Sequence, residues 1–164
     1  MLKFSLPLNR AYTRPILNLY NVKALVDFGA ESLIIDMTDE AITNLFKGTL
    51  IRNDISVCGI APEKIAGKLY CLREFRIGEM EFQNIPAIAA PIADAGIDII
   101  LGSSLYGGGC KILIDTEAEI ITFEYPDRVA LSKRTWVKHN NEWRILGYEN
   151  DNFVVLAESE FYEQ

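Results

Sequence analysis

The chain has 164 residues but a single histidine, His139, and three cysteines, Cys58, Cys71 and Cys110. No two cysteines have metal-ligand spacing, and His139 sits beside a polar turn without identifiable partners, so neither a metal nor any other cofactor is expected. The opening residues, Met1 to Leu8, are broken by Pro7 and followed by Asn9 and Arg10, which leaves no signal-peptide core. An odd number of cysteines without a secretory signal reads as reduced, buried thiols in a cytoplasmic protein. No apolar run approaches a membrane span. Positive charge is also scarce: 16 Lys and Arg stand against 23 Asp and Glu, a formal net charge of −7. That balance argues against nucleic-acid or anionic-membrane partners and favours a basic peptide.

What is present begins at Ala24-Leu25-Val26-Asp27-Phe28-Gly29-Ala30-Glu31-Ser32-Leu33-Ile34-Ile35. An apolar, β-prone run ends on a carboxylate, turns through Gly29 and Ala30, and resumes as a second apolar run, so Asp27 is presented between two buried segments. The letters Asp27-Phe28-Gly29 also spell the metal-binding motif of protein kinases. With 26 residues upstream there is no room for the glycine-rich loop, strand lysine and catalytic loop that a kinase requires.

Residues 2–8 and 14–26 read as two strands leading into Asp27. Thr38 is a helix N-cap for Ala41 to Phe46, with Gly48 as its stop, and Asp36, Asp39 and Glu40 are partners of the helix dipole, not metal ligands. Ile55 to Ile60 and Ile65 to Leu72 form a hairpin around Ala61-Pro62-Glu63-Lys64, in which Gly59 and Gly67 allow close approach and bending. A turn at Gly78 and a strand over Ile85 to Ala90 follow. Ile97-Asp98-Ile99-Ile100-Leu101-Gly102 is a further apolar run, ending on a glycine and followed by Ser103-Ser104-Leu105-Tyr106. Cys110 to Phe123 holds two apolar runs about a turn: Asp115-Thr116 starts like a second acid loop, but Glu117 stands where the glycine is needed. Residues 129–164 contain three strand-like runs separated by Asn140-Asn141 and Glu149-Asn150-Asp151-Asn152, a small antiparallel meander.

The ordered set from Phe4 to Phe123 resembles the retropepsin-like aspartic peptidases: an apolar-apolar-Asp-Thr/Ser-Gly-Ala loop, a flap hairpin, an apolar-apolar-Gly motif before a short helix, and a closing strand pair. The resemblance implies an all-β, retropepsin-like acid-protease barrel with short helices over residues 1–128, extended by the β-meander of residues 129–164. It implies Asp27 as the catalytic carboxylate in an active-site loop with Phe28, Gly29 and Ala30. It further implies a flap of Gly59, Ile60, Ala61, Pro62, Glu63 and Lys64, and a second-half motif at Ile100, Leu101 and Gly102. Three features depart from the family pattern: Phe28 replaces Thr or Ser, Ser104 stands where Asp or Asn is frequent, and Gly107 to Gly109 follow the helix. In the family, the hydroxyl at the position of Phe28 hydrogen-bonds across a two-fold axis and holds two aspartates coplanar.

Two carboxyls held ~3 Å apart share one proton and so provide an acid and a base together. With one acid loop per chain, the second carboxyl is expected from another copy in a two-fold homodimer. Peptide would bind as an extended strand under the flap. Three functions follow from the residues: an aspartic endopeptidase, a retropepsin-like dimer that binds peptide without cleaving it, and an assembly module working through its tail.

Overall fold

The computed structural model describes residues 2–57, 64–82, 85–94, 96–106, 110–125, 134–139, 142–149 and 152–156. In chain order the elements are β1 (Leu2–Pro7), β2 (Ile16–Leu19), β3 (Val22–Val26), β4 (Leu33–Ile35), α1 (Asp39–Phe46), β5 (Gly48–Val57), β6 (Ile65–Leu72), β7 (Phe75–Ile77), β8 (Met80–Phe82), β9 (Ile85–Ala89), β10 (Ile99–Leu101), a 3-10 turn (Ser103–Leu105), β11 (Lys111–Asp115), β12 (Ile120–Tyr125), β13 (Arg134–His139), β14 (Glu142–Glu149) and β15 (Asn152–Leu156). The described chain is therefore all-β with one α-helix, as its short apolar runs and frequent turn signals predict.

Seven strands form the central sheet in the order β2-β3-β10-β4-β9-β6-β5. β10 lies between β3, its parallel neighbour, and β4, its antiparallel neighbour, so strands far apart in sequence flank the Asp27 turn. Alternation along these strands divides their side chains between two faces. Ala24, Val26, Leu33, Ile35, Ile99 and Leu101 enter the main core with Phe46, Phe75 and Phe123. Leu25, Ile34 and Ile100 point the other way and cluster with Ile16, Val57 and Ile97.

The continuous strand expected over residues 14–26 is instead a hairpin. Tyr20 and Asn21 both have positive φ, 53° and 61°, the conformation of a two-residue type I′ turn, and β2 pairs antiparallel with β3. Packing of the half-buried Tyr20 ring against Phe46 and Phe75 offsets the cost of a left-handed conformation in an aromatic residue. The helix also ends differently. Thr38 does cap it, accepting the amide of Ala41, but Lys47, at φ 50°, supplies the left-handed terminus. Gly48 already belongs to β5 and allows close packing, because a Cβ there would lie 2.8 Å from Ile42 Cγ2.

The pair β5 and β6 forms the expected hairpin arms. Its tip at Gly59, Ile60, Ala61, Pro62 and Glu63, together with Cys58, lies outside the described residues. Lys64 is exposed at the foot of β6. Gly67 is buried, where a Cβ would meet Val57 Cγ2 at 2.9 Å and the Ala89 carbonyl oxygen at 3.2 Å. It permits tight packing of β6 on its neighbours.

A second sheet, β1-β12-β11, closes the core with Phe4, Phe123 and Tyr125, whose rings stack. The Asp115 segment is thus the closing hairpin, and not a second acid loop. β13, β14 and β15 form the antiparallel meander expected of the tail. Cys71 is buried in β6, which pushes its thiol up to about 12, and burial also raises the half-buried Cys110 thiol.

Candidate active site

Asp27 follows the last residue of β3, an interior strand, and its turn is bound to the strand beside it. The Asp27 amide donates to the Leu101 carbonyl at 3.1 Å, and the Ser103 amide donates to the Ala30 carbonyl at 2.7 Å. Within the turn, the Gly29 amide donates to Asp27 Oδ1 at 2.8 Å and the Ala30 amide reaches the Asp27 carbonyl at 3.4 Å. The carboxylate is thereby oriented by its own loop, while two cross-strand hydrogen bonds, each contributing about 1 kcal/mol net, fix the loop to the end of β10.

Gly102 makes this contact possible. A Cβ at that position would lie 2.3 Å from the Ser32 carbonyl oxygen and 2.7 Å from the Ser32 nitrogen. Backbone therefore packs directly on backbone, and glycine is the residue that fits. The loop motif Phe28-Gly29-Ala30 and the second-half motif Ile100-Leu101-Gly102, some seventy residues apart, are in this way brought into one interlocked unit around Asp27.

Asp27 is half-buried, whereas Phe28 and Gly29 are exposed. The Phe28 ring is 59% exposed and tilts against Tyr106, with centroids 5.8 Å apart. Tyr106 completes a contact that sequence reasoning missed: its buried hydroxyl donates to the Leu101 carbonyl at 2.8 Å, the same oxygen that receives the Asp27 amide. Burial first, then the charges of Cys110 and Asp27, raises the Tyr106 phenol well above its ordinary range. It stays neutral and remains a donor. The sequence signal was an aromatic just after the apolar-apolar-Gly motif, but nothing in its spacing showed where the hydroxyl goes.

Arg14 lies on the same side. Its Nη1 is 2.6 Å from Asp94 Oδ2, and that bond is the main reason its pKa is raised, with Asp27 adding to it. The same pairing lowers Asp94. On the face of the central sheet opposite the main core, Leu25, Ile34 and Ile100 are buried in a second apolar cluster, against which Ala30 of the Asp27 loop packs. A separate cleft of about 300 Å³, lined by residues including Asp36, Asp39, Lys68 and Pro91, does not include Asp27. Among the described residues, no group of three His, Cys, Asp or Glu side chains could hold a metal ion, and no helix is long and apolar enough to cross a membrane.

A carboxylate held this way can accept a proton from water. Acid and base together need a second group. The chain matches the family model described as aspartyl protease over residues 16–105, more than half its length and including both halves of the interlocked unit. Among solved structures, it is similar to a retropepsin-like aspartic protease from Rickettsia conorii, at 22% identity over 75% of this chain and 90% of that one, with a TM-score of 0.42. No curated protein matches the chain.

Proposed function

Because the chain belongs to the aspartyl protease family, we propose that it is a retropepsin-type aspartic endopeptidase whose catalytic pair consists of Asp27 from each of two subunits. The observation that carries this reading is the anchoring of Asp27 through the Leu101 carbonyl and the Gly102 contact, which presents one oriented carboxylate on an open face. One such group is half of a dyad, and a two-fold axis through the loops supplies the other. One carboxylate takes a proton from water as the oxygen attacks the scissile carbonyl, and the protonated partner gives its proton to the carbonyl oxygen. Collapse of the tetrahedral species breaks the C–N bond while a proton passes to the amine. Peptide lies extended beside the paired Asp27 loops, and the segment from Gly59 to Lys64 closes over it as a flap. Residues 1–128 form the catalytic domain, and residues 129–164 are an appended module.

A second reading rests on Phe28. An exposed phenyl ring replaces the hydroxyl that would tie the loops together across the axis. Burial of two such rings against each other stabilises a dimer, and a stacked aromatic pair adds about 0.5–1.5 kcal/mol beyond its area. Their bulk also sets the separation of the carboxyls, where a shift of about 1 Å costs roughly a hundredfold in rate. The dimer then binds peptide and cleaves it slowly or not at all.

Digestion of a peptide library from mildly acidic to neutral pH, with Asp27→Asn as control, separates the two readings. Cleavage that Asp27→Asn abolishes supports the peptidase, and Phe28→Thr is expected to raise it. If neither the parent nor a dimeric Phe28→Thr variant cleaves any peptide, the peptide-binding dimer is the better account.

A further inference from the structure

The Leu101 carbonyl oxygen takes two donors, the Asp27 amide at 3.1 Å and the Tyr106 hydroxyl at 2.8 Å. A carbonyl oxygen has two lone pairs, so it serves both at once. It belongs to the peptide unit joining Leu101 to Gly102, where the chain leaves β10. Leu101 is the last residue of the strand, opposite Val26, and Gly102 has no side chain to restrict rotation about the following bond. The direction of this oxygen is thus set by the donors that reach it as much as by the ladder.

Tyr106 is tied to this segment twice. Its amide donates to the Ser103 carbonyl at 3.0 Å, closing the 3-10 turn, and its side chain folds back over that turn to reach Leu101. Ser103 is itself bonded to the acid loop, through its amide and the Ala30 carbonyl. The ring has little freedom: it is 8% exposed, stacks on Phe123 with centroids 6.4 Å apart and 23° between the planes, and packs against Phe28. Burial keeps water from replacing the carbonyl as the partner of the hydroxyl, and a buried phenol left without an acceptor costs more than the bond contributes.

We propose that Tyr106 is a positioning residue for the Asp27 carboxylate. Its hydroxyl holds the Leu101 oxygen toward the Asp27 amide, and that amide fixes where the loop leaves β3. From there the Gly29 amide sets the carboxylate through its bond to Oδ1. Tyr106 donates to backbone, so it acts through the loop and exchanges no proton with substrate. Phe28 contributes by shielding the phenol behind it. The inference rests on Asp27 as the catalytic carboxylate and adds what orients it.

The test removes the hydroxyl alone. Tyr106→Phe keeps the ring against Phe28 and Phe123, and Tyr20→Phe is its control, because the Tyr20 hydroxyl accepts the Arg76 amide at 2.8 Å beside the turn at the other end of β3. Each variant is expected to lower Tm by a few degrees. Tyr106→Phe alone is expected to lower kcat for the peptides that the parent cleaves, about tenfold with KM unchanged. In amide exchange of the full chain, the Asp27 and Ala30 amides are expected to exchange about tenfold faster in Tyr106→Phe, and at the parent's rate in Tyr20→Phe. If either readout in Tyr106→Phe is that of the parent, or if kcat falls alike in both variants, the proposal is overturned. A rise in KM at constant kcat overturns it too, since a displaced carboxylate slows the chemical step. If the parent shows no cleavage that depends on Asp27, the peptidase reading is removed and exchange alone decides: faster loop amides in Tyr106→Phe keep Tyr106 as the residue that fixes the loop, and unchanged ones overturn it.

Discussion

Asp27 and Asp115 are the same local device in two places. Each comes at the end of an apolar strand and accepts the amide of the residue two positions on: Gly29 to Asp27 at 2.8 Å, and Glu117 to Asp115 at 3.1 Å. Asp115 takes a second amide, from Ala118 at 2.8 Å. This turn costs little and is found wherever Asp begins a reversal. What separates the two is the sheet around them. β3 is an interior strand, and its turn is bound to Leu101 and Ser103 and packed on Gly102; β11 is an edge strand, and its turn simply returns the chain as a hairpin. An acid turn becomes a candidate catalytic group where a neighbouring strand holds it in place.

The largest effect should come from removing the charge itself. Asp27→Asn keeps an oxygen for the Gly29 amide but lacks the acid, and peptide turnover is expected to fall by about four orders of magnitude with the dimer intact. Sedimentation alongside the assay separates lost chemistry from lost assembly.

Gly102→Ala tests the anchoring. With a Cβ forced toward the Ser32 backbone, overpacking is expected to cost about 3 kcal/mol or more, lowering Tm by several degrees. Turnover should fall further than the folded fraction does, because β10 and the Asp27 loop are pushed apart. If Tm and turnover match the parent, the backbone contact does not position the loop.

Asp115→Ala examines the same turn at the sheet edge. It removes an acceptor shared by two amides and should cost about 1 kcal/mol, read from chemical denaturation. A loss as large as that of Gly102→Ala would mean that the two turns are equally built into the fold.

The smallest effect concerns Asp39, an aspartate held by side chains. The Tyr70 hydroxyl, then Lys68 at 2.9 Å, lower its pKa. A depressed carboxylate stabilises the fold above its unfolded value of about 3.9, and the contribution is lost as pH falls through the folded value. Tyr70→Phe should therefore reduce Tm slightly at pH 7 and progressively less as pH falls below about 4. Equal reductions at pH 7 and pH 3 would show that the lost contact is packing alone.

The sequence by itself determined the all-β character, the helix N-cap at Thr38, the closing hairpin and the two apolar motifs around Asp27 and Gly102. All of these depend on side-chain periodicity and on turn residues within a few positions of one another, and local sterics act at that range. It also exposed Glu117 as the residue that rules Asp115 out as a second acid loop. Tertiary structure decided the rest. Tyr20 tolerates a left-handed conformation because its ring packs on Phe46 and Phe75, so residues 14–26 form a hairpin and not one strand. Gly67 is packed by Val57 of β5 and by Ile88 and Ala89 of β9, neighbours that only the sheet order brings to it. Tyr106 shares one carbonyl with Asp27 because β10 ends where two distant segments meet. That Lys111 to Asp115 forms an open edge, and not an interior strand, depends on strand order. An apolar run such as Ile112 to Ile114 is compatible with either place, and the packing of the whole chain decides which one it takes.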